Sequence, residues 1–233
     1  MRELVAAARW HQQRGVVADL SHLTAFDELT VGPVQRDEAL FLHALVRVVR
    51  PKTVLELGFL YGHSALNFLT ALDDDARLYS LDINPTCERL AQALLGHDPR
   101  FQFRLRSIVE VEASDVDGRN LDLVFFDAGH DVDLSRQAFE QIEPLLAPDA
   151  ILAVHDTGTV PRRLFPPGTL GYAASENWVG DEYEGQPGER AFVNWLLEKR
   201  PAFSQIHLHS RETIRCGITL LQRTTALARP PGE

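Results

Sequence analysis

The sequence predicts an α/β fold, in which a single domain is built on a doubly wound sheet of about seven strands, mostly parallel, with an antiparallel edge strand. Three observations lead to this prediction. Apolar runs alternate with segments of helical periodicity over most of the chain, as in a parallel sheet covered by helices on both faces. The first apolar run ends in a turn with two glycines, as where such a sheet binds a ligand. The last two strand candidates have no helix between them, which favours an antiparallel hairpin.

The elements follow in order along the chain. Residues 1–50 are predicted to form an N-terminal helical cap, with one or two helices within 1–30 and a clearer helix, Gln35–Val49, which Pro51 ends. Strands are predicted at 53–57, 78–82, 101–105, 121–126, 150–154, 204–209 and 216–222, and helices at 64–72, 86–95, 133–146 and 188–199. Residues 224–233, which include Pro230, Pro231 and Gly232, are predicted to be a disordered tail, so that the domain covers 1–223.

Residues 157–187 differ from the rest in composition. They are rich in glycine, proline and aromatic residues, and they have no clear periodicity. A segment of this length without regular structure is usually a lid or a binding loop, although a solvated surface excursion is the alternative. We predict a lid that closes over a substrate and is mobile without it.

The composition suits one domain in a reducing compartment. The chain has 233 residues, of which 45% are hydrophobic and 24% charged, enough for a full core. A net charge of −10 without a basic cluster argues against nucleic acid or a membrane as a partner, so a small molecule is expected. Only Cys87 and Cys216 are present, which gives no disulfide framework, and no segment reaches membrane-spanning length. We therefore expect a cytoplasmic protein, either a monomer or a homo-oligomer.

The turn after the first strand has the pattern Glu56-x-Gly58-x-x-x-Gly62. Gly58 permits a sharp turn and a close approach of the backbone to a ligand, and Gly62 opens a helix whose free N–H groups can hold a carboxylate. Ser64 is expected to cap this helix and to donate a hydrogen bond to the ligand. The bulky residues between the glycines leave no room for a pyrophosphate, which argues against a dinucleotide.

Asp82 ends the second strand, where a strand–helix–strand unit places a carboxylate beside the ribose hydroxyls of an adenosine ligand. Two alternatives stay open. The glycines also fit a tight turn that binds nothing. Ser64 could be the nucleophile of an α/β-hydrolase, although it does not follow the strand directly and Leu66, two places on, is bulky.

Two consecutive strands predicted to be central end in polar residues. The run 121–126 is followed by Asp127 and His130, and the run 150–154 by His155 and Asp156. Because the carboxyl ends of neighbouring parallel strands meet at one edge, Asp127, His155 and Asp156 are expected to converge beside the turn at Gly58. Three such side chains suggest a divalent metal. As alternatives, the acids could cap the following turns, and His155 could be a core histidine with satisfied hydrogen bonds.

Together these motifs resemble class I S-adenosylmethionine-dependent methyltransferases, which have a Rossmann-like fold. Within that class they resemble the cation-dependent O-methyltransferases of the catechol, caffeoyl-coenzyme A and macrolide-sugar types. Motifs support the resemblance over residues 34–156, and strand order alone supports it elsewhere. It assigns S-adenosylmethionine binding to Glu56, Gly58, Gly62, Ser64, Asp82 and Ser107.

For the metal, the resemblance matches Asp127 with the first ligand of the family, and it places His155 and Asp156 where the family has a pair of Asp or Asn ligands. His155 is a departure, because imidazole suits manganese, iron, nickel or zinc better than magnesium, so this histidine could lie outside the coordination shell. His130 falls where catechol-type enzymes have a lysine base, and an imidazole can accept a hydroxyl proton at neutral pH. The alternative is that His130 is a histidine of a surface loop with no part in catalysis.

The resemblance implies transfer of a methyl group from S-adenosylmethionine to a hydroxyl of a small-molecule acceptor, assisted by a divalent cation. His130 and Asp127 would be the catalytic residues. The alternative within the same fold is a catalytically silent protein that binds S-adenosylmethionine or S-adenosylhomocysteine. Residues of the predicted lid would wall the acceptor pocket: Arg162, Arg163, Tyr172, Trp178 and Tyr183.

Overall fold

The computed structural model describes residues 34–129, 131–158, 188–209 and 217–223. Several predictions concern residues outside this range: the helices within 1–30, nearly all of the lid at 157–187, His130, Cys216 and the tail at 224–233. The predicted domain limits also fall there and stay predictions. In the described part of the chain, no helix has the length and apolar character needed to cross a membrane.

The described residues contain a seven-stranded sheet, which confirms the predicted fold class. Its strands are β1 (Thr53–Leu57), β2 (Arg77–Asp82), β3 (Phe101–Leu105), β4 (Leu121–Phe126), β5 (Leu146–Val154), β6 (Phe203–His209) and β7 (Gly217–Arg223). They lie in the order β3-β2-β1-β4-β5-β7-β6. The neighbouring pairs among β1 to β5 are parallel, and β7 is antiparallel to both β5 and β6. The antiparallel strand therefore lies one place in from the edge strand β6.

Five α-helices within the described ranges connect and cover these strands. They are α1 (Arg36–Val49), α2 (His63–Ala71), α3 (Pro85–Leu95), α4 (Val132–Ile142) and α5 (Gly188–Lys199). The predicted helix 133–146 ends at Ile142 and continues only as a 3-10 turn, Glu143–Leu145, because Pro144 cannot donate the next helical hydrogen bond. Strand β5 begins at Leu146, four residues before its predicted start, since Leu146 pairs with Leu121 of β4.

Two apolar layers enclose the sheet. Phe68 of α2 belongs to the layer that α1, α2 and α3 form, and Phe139 of α4 belongs to the layer that α4 and α5 form. Strand β1 supplies Val54 to the first layer and Leu55 to the second, because successive strand residues point to opposite faces. All five residues of β1 are buried, which explains why the sequence shows it as a continuous apolar run with one acid.

The chain changes direction across the sheet between β1 and β4. From β1 it runs outwards to β2 and β3, and it then returns to β4 on the other side of β1. In doubly wound sheets, ligands bind in the crevice at such a switch point, outside the carboxyl ends of the strands. Here those ends are joined by a hydrogen bond of 2.9 Å, which the Asp127 N–H donates to the Leu57 carbonyl.

Candidate active site

The glycines of the β1–α2 turn are required by the protein's own atoms. Gly58 has φ +100°, and a Cβ there would lie 2.1 Å from the carbonyl oxygen of Asp127. Gly62 has φ +78°, and a Cβ there would lie 2.6 Å from the ring of Phe59. The close approach that the sequence assigned to a ligand is therefore, for Gly58, an approach to the end of β4. This contact brings the turn and Asp127 together.

A cavity of about 400 Å³ opens at this switch point. Its walls include five of the residues predicted for the site: Gly58, Ser64, Asp82, Ser107 and Asp127. Glu56 and Gly62 do not line it. The structure thus brings Gly58 after β1, Asp82 of β2 and Ser107 after β3 to one cavity, which also reaches the end of β4.

Asp82 is held by the backbone at the edge of the cavity. Its Oδ2 accepts hydrogen bonds from the N–H groups of Phe59 and Leu60, at 3.1 and 3.2 Å, and its Oδ1 accepts one from Asn84 at 2.9 Å. These bonds fix the carboxylate between the turn after β1 and the turn after β2. Because a carboxylate oxygen has two lone pairs and Oδ2 already accepts two hydrogen bonds, Oδ1 is the oxygen that can accept a further hydrogen bond from a ligand.

Glu56 lies behind the cavity wall. Its side chain is fully buried and accepts a hydrogen bond from the Ser80 hydroxyl. Burial raises the pKa of Glu56 to about 8, and hydrogen bonds from Ser64 and Ser80 oppose this rise. Ser64 therefore contacts Glu56, and the predicted cap is wrong, because Gly62 occupies the N-cap of α2 and no side chain caps this end.

Asp127, His155 and Asp156 converge as predicted. One potential ligand atom from each lies within 4.8 Å of the others. His155 Nδ1 lies 2.9 Å from Asp127 Oδ1 and 3.6 Å from Asp156 Oδ1. Asp156 has φ +52°, a left-handed conformation that aspartate adopts more readily than most residues. The cluster is nearly closed to solvent, since the side chains of His155, Asp127 and Asp156 are 2%, 15% and 10% exposed.

The sequence also allowed two other roles for these residues, helix or turn caps for the acids and a hydrogen-bonded core position for His155, and only the second describes the structure in part. The N-cap of α4 is Asp131, whose Oδ1 accepts from the N–H groups of Asp133 and Leu134, so Asp127 does not cap this helix. His155 is a buried histidine with a partner at each ring nitrogen. Burial lowers the pKa of His155, but the nearby carboxylates outweigh this effect and hold its pKa well above the usual value.

One of those carboxylates, Glu38, was not predicted. Glu38 Oε2 lies 2.9 Å from His155 Nε2, although the two residues are 117 positions apart in the sequence. Glu38 lies on the buried face of α1 together with Ala39 and Leu42. An acid on the apolar stripe of a helix was the available signal, because such an acid needs a buried partner.

A second polar cluster was also missed. The Arg190 guanidinium, in the first turn of α5, donates two hydrogen bonds of 2.9 and 2.8 Å to the Thr157 carbonyl. His207 of β6 contacts Arg190 and lies 2.9 Å from the hydroxyl of Thr219. These contacts hold α5 and β7 against the end of β5.

Known proteins resemble this chain in sequence and in fold. The family model described as a methyltransferase domain matches residues 55–157, which run from β1 to the end of β5. This segment is therefore similar in sequence to methyltransferase domains. Caffeoyl-CoA O-methyltransferase 1 of Arabidopsis thaliana is 27% identical over 120 residues, which are 48% of this chain and 46% of that enzyme. The chain spans about half the length, or less, of the curated relatives that it matches.

Solved structures share the fold of this chain. The O-methyltransferase TomG from Streptomyces achromogenes, in complex with SAM, has a TM-score of 0.63 and 22% identity, with 88% of this chain and 91% of TomG covered. An O-methyltransferase from Bacillus cereus, in complex with SAH, has a TM-score of 0.63 and 17% identity, with 93% and 97% covered. The resemblance to class I O-methyltransferases that the sequence predicted is thereby confirmed.

Proposed function

We propose that this protein transfers a methyl group from S-adenosylmethionine to a hydroxyl of a small-molecule acceptor, with the assistance of a divalent cation. One observation carries the proposal. Asp127 lines the cavity that also reaches Asp82, and it belongs at the same time to the cluster with His155 and Asp156. A methyl donor in the cavity and an acceptor beside the cluster would therefore be neighbours, as group transfer requires.

The cavity suits S-adenosylmethionine in size and in charge. Its volume of about 400 Å³ lies in the range typical of small-ligand sites. Asp82 and Asp127 supply negative charge to its wall, which favours a cationic sulfonium. In this proposal Asp82 binds the ribose hydroxyls, Ser107 lies on the adenine side, and Gly58, Gly62 and Ser64 shape the turn around the ligand. Glu56 supports Ser64 from behind.

The cluster also fits a divalent ion. Two carboxylates and one imidazole nitrogen lie close enough to share one ion, and this donor set suits manganese, iron, nickel or zinc better than magnesium. When bound there, such an ion lowers the pKa of a coordinated hydroxyl. Asp127 and Asp156 would hold it, and His155 would complete the set or support it. Because all three side chains are largely buried, they also keep water away from the reacting groups.

The remaining task of the protein is to align the reactants and to accept a proton. The acceptor oxygen forms its bond to the methyl carbon as the sulfur–carbon bond breaks, and the acceptor proton must leave. We propose His130, which lies outside the described residues, as the base that removes this proton. We expect the reaction to occur in the cytoplasm, with a small hydroxylated molecule as the substrate.

The hydrolase alternative is not favoured by the geometry. Ser64 lies inside helix α2, is 7% exposed and contacts the carboxyl group of Glu56, whereas a nucleophile elbow holds its serine in the sharp turn after a strand. The silent binding protein has one observation in its favour. Because carboxylates contact both ring nitrogens of His155, ion pairs within the cluster can also balance its charges without a metal ion.

Transfer of labelled methyl from S-adenosylmethionine to a panel of catechols, flavonoids and glycosides tests the proposal. The assay is run with a chelator and then with magnesium, manganese or nickel restored. We expect transfer that is lost on chelation and recovered best with manganese or nickel. Full activity in excess chelator would overturn the metal assignment alone. Binding of S-adenosylhomocysteine without transfer to any acceptor would favour the silent protein.

A further inference from the structure

We propose that Glu38 is a positioning residue, which turns His155 so that its Nδ1 faces Asp127 and Asp156 as a third metal ligand. This inference rests on the metal site of the proposed function. Glu38 lies in the first turn of α1, outside the segment 55–157 that matches the methyltransferase model. It therefore links the helix that precedes the sheet to the ends of β4 and β5.

The side chain of Glu38 is fixed in place. It is 4% exposed, and its Oε2 accepts a hydrogen bond of 3.0 Å from the Gln35 N–H as part of a capping box at the start of α1. The same oxygen lies 2.9 Å from His155 Nε2. A buried carboxylate without such partners would be strongly unfavourable. The position of Glu38 is thus set by the helix end on one side and by His155 on the other.

This contact keeps a proton on Nε2 of His155. An ionised carboxylate has no hydrogen to donate, so in the pair with Glu38 the proton belongs to Nε2. In the neutral imidazole, Nδ1 then carries the lone pair. Nδ1 is the atom that lies 2.9 Å from Asp127 Oδ1 and 3.6 Å from Asp156 Oδ1. Glu38 therefore leaves Nδ1 as the ring nitrogen that faces the cluster. Without a metal this nitrogen hydrogen-bonds to Asp127, and a metal ion bound there would take the place of its proton.

A carboxylate behind a ligating histidine has a known effect on metal affinity. It fixes the tautomer and the ring orientation and makes the ligating nitrogen more basic, and its loss typically costs 10- to 100-fold in affinity or activity. The same geometry would also explain why histidine is tolerated at a position next to Asp156. Without Glu38, the ring could turn or change its tautomer, and Nδ1 would no longer be held towards the two acids.

Metal binding by the full-length protein tests this role. Mn²⁺ affinity is measured by electron paramagnetic resonance for the wild type, Glu38→Ala and Glu38→Gln, and calorimetry measures S-adenosylhomocysteine affinity in the same samples. Glu88→Gln is the control, because Glu88 is an exposed acid in the first turn of another helix, α3. We expect Glu38→Ala to weaken Mn²⁺ binding by about 10- to 100-fold. Glu38→Gln should lose less, since its amide oxygen still accepts from Nε2.

The ¹⁵N signals of His155 give a second readout. With Zn²⁺ bound, the wild type should show a coordinated Nδ1 and a protonated Nε2, and Glu38→Ala should lose this defined pattern. Equal Mn²⁺ affinity in the wild type and both Glu38 variants would overturn the inference, and so would coordination through Nε2. If Glu38→Ala does not fold, Glu38→Gln decides the question.

The experiments distinguish failure of the proposed function from failure of the role of Glu38. A wild type that binds neither Mn²⁺ nor Zn²⁺ would overturn this inference together with the metal assignment. Methyl transfer in chelator would then still support the methyltransferase. Absent transfer with normal Mn²⁺ affinity, weakened in Glu38→Ala, would overturn the proposed activity and leave the role of Glu38 supported.

Discussion

The carboxyl groups near the candidate site avoid the free-energy cost of burying a charge in three different ways. Glu56 is buried among hydroxyl groups, and its raised pKa means that it can stay neutral near pH 7. Asp82 stays at the cavity edge and accepts three backbone hydrogen bonds. Asp127 and Glu38 share the imidazole of His155. These solutions follow the general rule that a buried charge is neutralised, paired or hydrogen-bonded.

The protonation of Glu56 leads to a prediction about stability. Its pKa is about 8 in the folded protein and near 4.5 for an unperturbed glutamate, so between these values the folded state holds a proton that the unfolded chain releases. The contribution of this group is complete below about pH 4.5 and is lost as pH rises towards 8. Glu56→Gln, which never ionises, should therefore be more stable than the wild type at pH 9, by on the order of 4 kcal/mol.

Urea unfolding at pH 5, 7 and 9 measures this difference. The free energy of unfolding of Glu56→Gln should match that of the wild type at pH 5 and exceed it increasingly at pH 7 and 9. The exposed Glu88→Gln is again the control and should follow the wild type at each pH. Parallel curves for Glu56→Gln and the wild type would show that Glu56 is ionised in the folded state.

Whole elements could be predicted where one local signal dominates. The bounds of β1, β3 and β4 agree with the prediction, because these strands are short apolar runs with clear flanks. The two clear errors lie next to proline. Pro144 ends α4 early. Strand β5 passes through the exposed residues Pro148 and Asp149 to reach a pairing partner on β4, which the local pattern does not reveal. The start of β5 is therefore set by pairing with β4 and not by the local sequence.

The glycine pattern was recognised from the sequence, whereas its cause was not. The sequence shows that a turn follows β1, but it does not show that the Asp127 carbonyl would be the atom nearest to a Cβ at Gly58. The same limit applies to Ser64. A serine at the start of a helix suggests a cap, and only the positive φ of Gly62 shows that the helix begins one residue earlier.

This distinction gives a prediction at the level of the β1–α2 turn. Gly58→Ala combines an unfavourable φ with a Cβ 2.1 Å from a backbone oxygen, so either β1 or β4 must shift. We expect a loss of about 3 kcal/mol or more in stability and weakened S-adenosylhomocysteine binding. Gly118→Ala is a matched control, since Gly118 also has a positive φ, +69°, but a Cβ there meets nothing within 4 Å.

The control should cost only about 1 kcal/mol, the usual penalty for a left-handed conformation. Chemical denaturation and calorimetry on both variants separate the two contributions. Equal losses of stability in Gly58→Ala and Gly118→Ala would mean that the contact with β4 is relieved without cost, and the proposed role of Gly58 in joining the turn to Asp127 would be wrong.

At the scale of the whole molecule, the topology explains which parts of the site could be predicted. A doubly wound sheet places the carboxyl ends of its parallel strands at one edge, so the meeting of Asp127, His155 and Asp156 follows from strand order. The contact between Glu38 and His155 does not, because α1 precedes the first strand and its packing is not part of that rule. Long-range contacts of this kind depend on how a helix packs, which a single sequence does not give.

The same topology predicts that the cofactor and metal functions can be separated. Asp82 ends β2 on one side of the switch point, and Asp156 follows β5 on the other and does not line the cavity. Asp82→Ala should weaken S-adenosylhomocysteine binding about tenfold or more, because a lost hydrogen bond to a charged acceptor costs about 1.5–3 kcal/mol. Its Mn²⁺ affinity should stay unchanged. Asp156→Ala should show the opposite pattern.

Calorimetry with S-adenosylhomocysteine and titration with Mn²⁺ give two dissociation constants for each variant. Asp75→Ala is the control for the loss of a carboxylate, because Asp75 is an exposed acid paired with Lys52. Asp127→Ala should affect both ligands, since Asp127 lies in the cavity wall and in the cluster. Chelation of the wild type should remove methyl transfer and spare S-adenosylhomocysteine affinity. If Asp156→Ala weakened S-adenosylhomocysteine binding as strongly as Asp82→Ala, the two sites would form one unit, and the division of roles across the switch point would have to be abandoned.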